Sequence, residues 1–250
     1  MSSFDDPAVQ MAHRSAVRSI ERVVHETTAP TDPDLALERV VAQLRRGSVL
    51  VITGAGVSTD SGIPDYRSAG GRLTKGRPMT YQEFAHSPAQ VHRYWARAFV
   101  GMQFMRAANP NRTHFALVEF ERAGLLTGIV TQNVDGLHLA AGSRDVIALH
   151  GDMEHVVCLD CGARHARSLI DAMLTHANPN FFNSVEVTGN MINPDGDVEL
   201  RASDVERFHM IACPACGGQR LKPDVVYFGE NVPTGRRQAA RAWLDESASV

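Results

Sequence analysis

The sequence predicts an α/β protein, a Rossmann-like parallel sheet with helices on both faces and a small metal-binding module inserted into it. Three observations carry this. Apolar strands alternate with helical periodicities, the pattern of a parallel sheet covered on both sides. The first strand runs directly into a glycine-rich turn, Gly54-Ala55-Gly56. Two Cys-x-x-Cys pairs, Cys158/Cys161 and Cys213/Cys216, then interrupt the alternation. With 250 residues the chain can build one large domain and a small module.

Taken in order, residues 8–26 place Val17, Ile20 and Val24 at helical spacing, and Leu37, Val40, Val41 and Leu44 repeat the pattern. The segment from Pro30 to Pro33 separates the two helices. Gly47 stops the second, and Val49 to Ile52 forms a short strand. After the glycine turn comes a Gly- and Arg-rich loop, residues 68–78, then a helix opening at Ser87-Pro88, a favourable N-cap and first-turn pair. A helix over about 112–123 precedes an apolar run, Leu125 to Val130, read as a buried strand ending at Thr131. Val146 to Leu149 is a further strand. Residues 152–222 break the rhythm, holding all four cysteines and a polar insert from Asn178 to Ser203. Lys222 to Phe228 is read as resuming the sheet, and Thr234 to Glu246 as helical. The expected divisions are an N-terminal helical extension (1–30), the first part of the sheet domain (31–151), the metal module (152–222) and the return to the sheet domain (223–250).

Hydrophobic and charged contents of 44% and 21% are those of an ordinary globular domain, and a net charge of −3 argues against a general nucleic-acid binder. No apolar run approaches the roughly 18 residues that span a bilayer, so no membrane partner is expected. Residues 1–30 carry Asp5, Asp6, Glu21 and Glu26 and lack an apolar signal core, which predicts a cytoplasmic protein. In such a chain paired Cys-x-x-Cys spacing favours metal over disulfides. Four thiolates satisfy tetrahedral Zn²⁺ and leave no open position, so one structural zinc is expected.

Two segments point to a ligand. Glycines let a backbone approach a pyrophosphate, and a following helix N-terminus presents free N–H groups to it. The usual dinucleotide fingerprint wants a third glycine where this chain has Thr59, so the turn alone fits either a phosphate cradle or a plain connection. Its continuation, Ser61-Gly62-Ile63-Pro64-Asp65-Tyr66-Arg67, is costly decoration for a mere connector. The second segment, Thr131 to Cys161, sets Gln132, Asn133 and Asp135 at one strand end and His150 at another. Polar side chains at such ends are where α/β sheets hold ligands. Amides and an acid would bind a polar ligand, and a histidine supplies a base titrating near neutrality. The chain has eleven histidines, and a lone one is often structural; the strand-end position and the following Gly151 set His150 apart.

Together these motifs resemble the sirtuins, NAD⁺-dependent protein-lysine deacylases. GAGVSTDSGIPDYR, TQNVDGLH, His150-Gly151, the two Cys-x-x-Cys pairs and PDVVYFGENVP follow in the family's order, from about Leu35 to Val250. PDGDV (Pro194 to Val198) and Tyr94-Trp95-Ala96-Arg97 resemble the class II branch, which holds mitochondrial sirtuins and bacterial relatives.

The resemblance implies NAD⁺ across the C-terminal edge of the sheet, its pyrophosphate over Gly54, Ala55 and Gly56, in a loop that also supplies Ser58, Asp65, Tyr66 and Arg67. It implies Ile63 and Asp135 at the nicotinamide carboxamide and Gln132 and Asn133 at the adjoining ribose, with Tyr66 where many relatives have Phe. An acyl-lysine protein or peptide would enter by strand addition between two loops, one of them Val226 to Glu230, touching Val226, Phe228, Gly229 and Glu230. The acyl oxygen would attack the ribose C1′, nicotinamide would leave and an alkylamidate would form. His150 would then act as general base on the ribose hydroxyls, with Asn133 beside it, giving free lysine and an O-acyl-ADP-ribose. Tyr94 and Arg97 are similar to a Tyr-x-x-Arg pair with which some relatives bind acidic acyl groups; the other reading is a helix with its aromatic packed inward. Family members continue past the equivalent of Val250 into strands that hold the adenosine half of NAD⁺, so the sheet is expected to be incomplete at that end. Two further readings stay open: mono-ADP-ribosyl transfer to protein, and a non-catalytic zinc-stabilised binding module.

Overall fold

The computed structural model describes residues 4–23, 28–67, 73, 77–186, 193 and 195–250. Val24, Glu26, most of the 68–78 loop, and residues 187–192 and 194 of the polar insert lie outside the described residues. In chain order the helices are α1 (Pro7–Glu21), α2 (Pro33–Arg46), α3 (Tyr81–His86), α4 (Pro88–Ala107), α5 (Arg112–Arg122), α6 (Leu137–Ala141), α7 (Arg167–Ala177), α8 (Ala202–Arg207) and α9 (Thr234–Glu246). The strands are β1 (Val49–Thr53), β2 (Leu126–Thr131), β3 (Val146–Ala148), β4 (Gly151–Cys158), β5 (Arg164–Ala166) and β6 (Leu221–Val225). They form two compact units, each assembled from three separate segments.

The sheet unit comprises Val23–Arg72, Asn109–Gly151 and Val232–Val250. Its strands run in the order β1-β2-β3, all parallel. Thr53 stands opposite Thr131, and Thr131 opposite Ala148, so the three C-terminal ends are level. That register brings Gly54, Gln132 and the Leu149-His150 pair to one edge. Each helix begins for a local reason. Asp32 accepts hydrogen bonds from the amides of Asp34 and Leu35 at the start of α2, and Asn111 caps α5 through Thr113. α5 and α9 pack on β2, where the Trp243 ring leaves no room for a side chain at Gly128: an added Cβ would lie 2.5 Å from the indole. After α9 the chain pairs alongside β1, with the Leu50 amide donating to the Ser249 carbonyl and the Ala248 amide to the Ser48 carbonyl, both at 2.9 Å.

The cysteine unit comprises Met1–Arg22, Leu73–Ala108 and Asp152–Asn231. Its sheet is ordered β5-β4-β6, with β4 and β5 antiparallel. Here the sequence reading needs correction: β6 does not resume the parallel sheet but lies beside β4. The amide of Leu159 bonds the Arg220 carbonyl at 2.8 Å, and the Trp95 indole N–H bonds the Leu221 carbonyl at 2.8 Å, so β6 is drawn into this unit's core. That core holds Phe84, Trp95, Val156, Ile170, Leu174 and Leu221, all fully buried. α4 runs through it with apolar residues on nearly every face, as a helix buried on all sides requires. It starts at Ser87-Pro88 as the sequence predicts. α1, expected as a separate extension reaching residue 26, ends at Glu21 and packs on α3, burying Ala16 and Ile20. Among the described residues no helix is long and apolar enough to cross a membrane.

Candidate active site

At the level edge of the parallel sheet, β1 passes into a 3₁₀ helix, Ala55–Ser61. Gly54 and Gly56 do not adopt left-handed backbone angles, so glycine is not needed there to make the turn. A Cβ at either position would meet nothing within 4 Å. The glycines thus leave open backbone with N–H groups at a helix start, suited to the close approach of an anion such as a pyrophosphate. Asn111 fastens this turn from behind: its side-chain amide donates to the Val57 carbonyl at 2.7 Å and to the Ser61 hydroxyl at 3.0 Å.

The polar cluster after β2 is tied to the same turn. Ser58, only 1% exposed, donates its hydroxyl to Asp135 Oδ2 at 2.7 Å and accepts from the Asn133 amide at 3.1 Å. Asp135 Oδ1 accepts the Leu137 amide at 2.9 Å, and the Asn133 amide N–H donates to the Thr131 hydroxyl at 3.0 Å. Ser58, Asn133 and Asp135, three of the residues singled out from sequence, are therefore brought into direct hydrogen-bonded contact. Ile63 is buried and its amide bonds the Ser58 carbonyl, while Gln132 is exposed and its amide bonds the Thr53 carbonyl. Asp65, Tyr66 and Arg67 are half-buried in the same unit.

His150 is half-buried just beyond β3. Burial lowers its pKa below the ordinary histidine value, and a hydrogen bond to the Gln132 backbone acts the other way. That shift favours the neutral imidazole, the form that can take up a proton.

Two further histidines escaped the sequence reading. His114 and His138 are buried edge to face with ring centres 4.8 Å apart. The Asn111 amide donates to His114 Nδ1, so the neutral ring carries its proton on Nε2. His138 Nε2 meets the Thr53 hydroxyl at 2.9 Å. Burial, and then the neighbouring His114, push His138 down to about 4, with Asp135 opposing; His114 is lowered by burial too. The pair packs behind Thr53 and Asp135 and supports the turn rather than facing a ligand. The only sequence signal was the Asn111-x-x-His114 spacing, which forms a capping box here.

In the cysteine unit the four Sγ atoms of Cys158, Cys161, Cys213 and Cys216 lie within 4.8 Å of one another. Separations of 3.7 Å (Cys158–Cys216) and 4.0 Å (Cys161–Cys213) match the ~3.8 Å edge of a tetrahedron with Zn–S bonds of about 2.3 Å. Each pair closes on a left-handed glycine, Gly162 and Gly217, whose amides return to the carbonyls of Cys158 and Cys213 at 2.8 Å. The donor set and geometry fit one structural zinc. His165 Nε2 approaches Cys213 Sγ at 3.3 Å and orients it.

Tyr94 and Arg97, read from sequence either as an acyl-recognition pair or as part of a helix with its aromatic packed inward, are both buried. Both side chains are core: Tyr94 is 2% exposed, among Phe84, Trp95 and Tyr227. The Arg97 guanidinium is consumed by Asp197 (3.1 Å), Glu199 (2.6 Å) and the Val198 carbonyl (2.8 Å). In the loop after β6, Phe228 and Gly229 are exposed, and Val226 and Glu230 half-buried.

The comparisons with known proteins agree with one another. The family model described as the Sir2 family matches residues 54–248. NAD-dependent protein deacetylase 1 of Corynebacterium efficiens is 60% identical over 215 residues, covering 86% of this chain and 76% of that protein. NAD-dependent protein deacylase Sirt4 of Drosophila melanogaster is 44% identical, covering 89% and 70%. The solved structure of Sir2Tm bound to a propionylated peptide superposes with a TM-score of 0.60 at 26% identity, covering 85% of this chain and 72% of that one. A Sir2–p53 peptide–NAD⁺ complex gives 0.59 at 26% identity, with the same coverage.

Proposed function

This chain belongs to the Sir2 family, and we infer on that premise that it is an NAD-dependent protein-lysine deacylase. It is an enzyme that removes acyl groups from lysine and transfers them to ADP-ribose, giving nicotinamide and O-acyl-ADP-ribose, with a protein substrate and one structural zinc. The observation that carries this most is the Ser58–Asn133–Asp135 network, set at the same sheet edge as a neutral His150.

NAD⁺ supplies a ribose C1′ with a good leaving group. The family motifs and these positions support the following residue roles. Gly54, Ala55 and Gly56 cradle the pyrophosphate, and Ser58, Asp65, Tyr66 and Arg67 complete that loop. Asp135, held by the Ser58 hydroxyl and the Leu137 amide, accepts the carboxamide N–H with Ile63 alongside. Asn133, fixed by Ser58 and Thr131, addresses the nicotinamide ribose together with Gln132 and steadies it during proton transfer. His150 would hold the proton of a ribose hydroxyl of bound NAD⁺, acting as the general base of acyl transfer.

Val226, Phe228, Gly229 and Glu230 form the edge against which the acyl-lysine segment lies. With Arg97 engaged by two carboxylates, neutral acyl groups are the preferred substrates. We place the cofactor domain in the sheet unit and the zinc and peptide loop in the cysteine unit. Replacing the base tests the reading: His150→Ala lowers deacylation by roughly 10²–10⁴-fold while NAD⁺ binding by calorimetry persists. Near-wild-type turnover would remove His150 from the role.

A further inference from the structure

We propose that α1 buttresses the loop Val226–Glu230, so that the N-terminal helix sets how tightly the enzyme holds its acyl-lysine peptide. The proposal rests on the reading of that loop as the peptide edge. It concerns a part of the chain that lies outside the matched family region, which begins at residue 54.

Inside its own turn the loop is stapled by Glu230, whose Oε2 accepts the Tyr227 amide at 2.9 Å and pairs with buried Lys222 at 3.0 Å. Its exposed middle is held from outside, by the first turn of α3. The Tyr81 amide donates to the Phe228 carbonyl at 2.9 Å, and the Gln82 side chain donates to the Gly229 carbonyl at 3.2 Å. Thr80 caps that turn and pairs with Phe228 as an isolated parallel bridge. Phe228 and Gly229 therefore sit where the start of α3 places them.

α1 meets this assembly through His13 and Ala16, three residues apart on one face, with Ile20 four residues further along that face. His13 Nδ1 lies 3.0 Å from the Thr80 hydroxyl. That hydroxyl already gives its single proton to Glu83 Oε2, at 3.0 Å, so it can only accept from His13. Ala16 touches the loop itself. Gly229 is left-handed (φ 79°), and a Cβ built there would lie 2.8 Å from the Ala16 methyl and 2.8 Å from Gln82 Oε1. Two of the smallest residues meet at this point, so the helix backbone fixes how far the loop can retreat. Ile20, fully buried, anchors the helix one turn further on. In strand addition the ligand reads main-chain position, and a shift of a few tenths of an ångström at 228–229 spoils several hydrogen bonds together.

The test uses the full chain and three variants, with peptide binding by fluorescence anisotropy and steady-state kinetics as readouts. Ala16→Leu, which overfills the contact with Gly229, is expected to raise KM and Kd for the peptide about 10-fold, leaving kcat and the KM for NAD⁺ within about two-fold. His13→Ala is expected to raise them about 3-fold, and His13→Asn, which keeps an N–H donor near the Nδ1 position, to restore them. Glu230→Gln, which loosens the loop without touching α1, serves as the reference. If it weakens the peptide while the α1 variants do not, α1 is only a structural support and the proposal is overturned. If none of them moves peptide affinity, the reading of the loop as the peptide edge falls as well. Should Ala16→Leu fail to fold, the His13→Ala and His13→Asn pair decides: equal peptide affinities in the two overturn the buttress.

Discussion

The two units place polar side chains in protein interiors to opposite ends. In the sheet unit, Ser58, Asn133 and Asp135 bind one another at a strand edge beside open glycine backbone, and burial lowers the pKa of His150 at the same edge. In the cysteine unit, charges are closed on themselves: Arg97 on Asp197 and Glu199, and four thiolates poised for one metal ion. The difference separates polar groups at an open edge from charges already matched inside the fold. The Tyr94-x-x-Arg97 motif falls among the closed groups, its guanidinium held by Asp197 and Glu199.

The largest effect that could break this contrast is loss of metal. Closing a structural zinc site contributes on the order of 10 kcal/mol, so chelation should melt the cysteine unit. The two tryptophans report separately, since Trp95 lies in the core of the cysteine unit and Trp243 against β2. In a Trp243→Phe variant, chelator should red-shift the Trp95 emission strongly. An unchanged Trp95 spectrum would mean that the cluster is not a folding metal site.

Next comes the closed charge. Arg97→Ala leaves Asp197 buried without its partner and should cost about 3–5 kcal/mol by urea titration. The ratio of acetyl- to succinyl-lysine turnover should stay unchanged. Loss of succinyl turnover alone would restore Arg97 to a substrate role.

Acid comes third. His138 has a folded-state pKa of about 4 against 6.5 when unfolded, so between those values the unfolded chain binds a proton that the native state refuses. Its contribution is intact above about pH 6.5 and is lost as pH falls toward 4, up to about 3 kcal/mol in all, with His114 adding in the same direction. Denaturation midpoints at pH 7 and pH 5 should diverge in the parent and converge in His138→Gln. The smallest effect is at the cradle. Ser58→Ala removes the donor to Asp135 and should weaken NAD⁺ binding by about 10-fold without disturbing zinc content.

What the sequence revealed of all this was local. The bounds of α9, the Ser87-Pro88 start of α4 and the end of α2 at Gly47 follow from caps and periodicity within a few residues. The strand-end cluster was legible because Ser58, Asn133 and Asp135 lie in two compact motifs. Partners set by distant segments were hidden. β6 was misassigned because its neighbour β4 lies some sixty residues earlier, and Arg97 stayed open between two readings because its carboxylates lie about a hundred residues later. α1 showed its helical period but not its place, which depends on Thr80 and Gly229. His114 and His138 gave no sign of meeting, since only the packing of α5 against α6 brings their rings together.

The central claim is that the open edge of the sheet unit turns over NAD⁺ only when an acyl-lysine is present. The direct measurement is nicotinamide release from NAD⁺ with and without an acetyl-lysine peptide, followed by mass spectrometry of the products. Release should require the peptide, with nicotinamide, free lysine and O-acetyl-ADP-ribose formed in equal amounts. Release without the peptide, or ADP-ribose attached to protein in place of the acyl product, would contradict it.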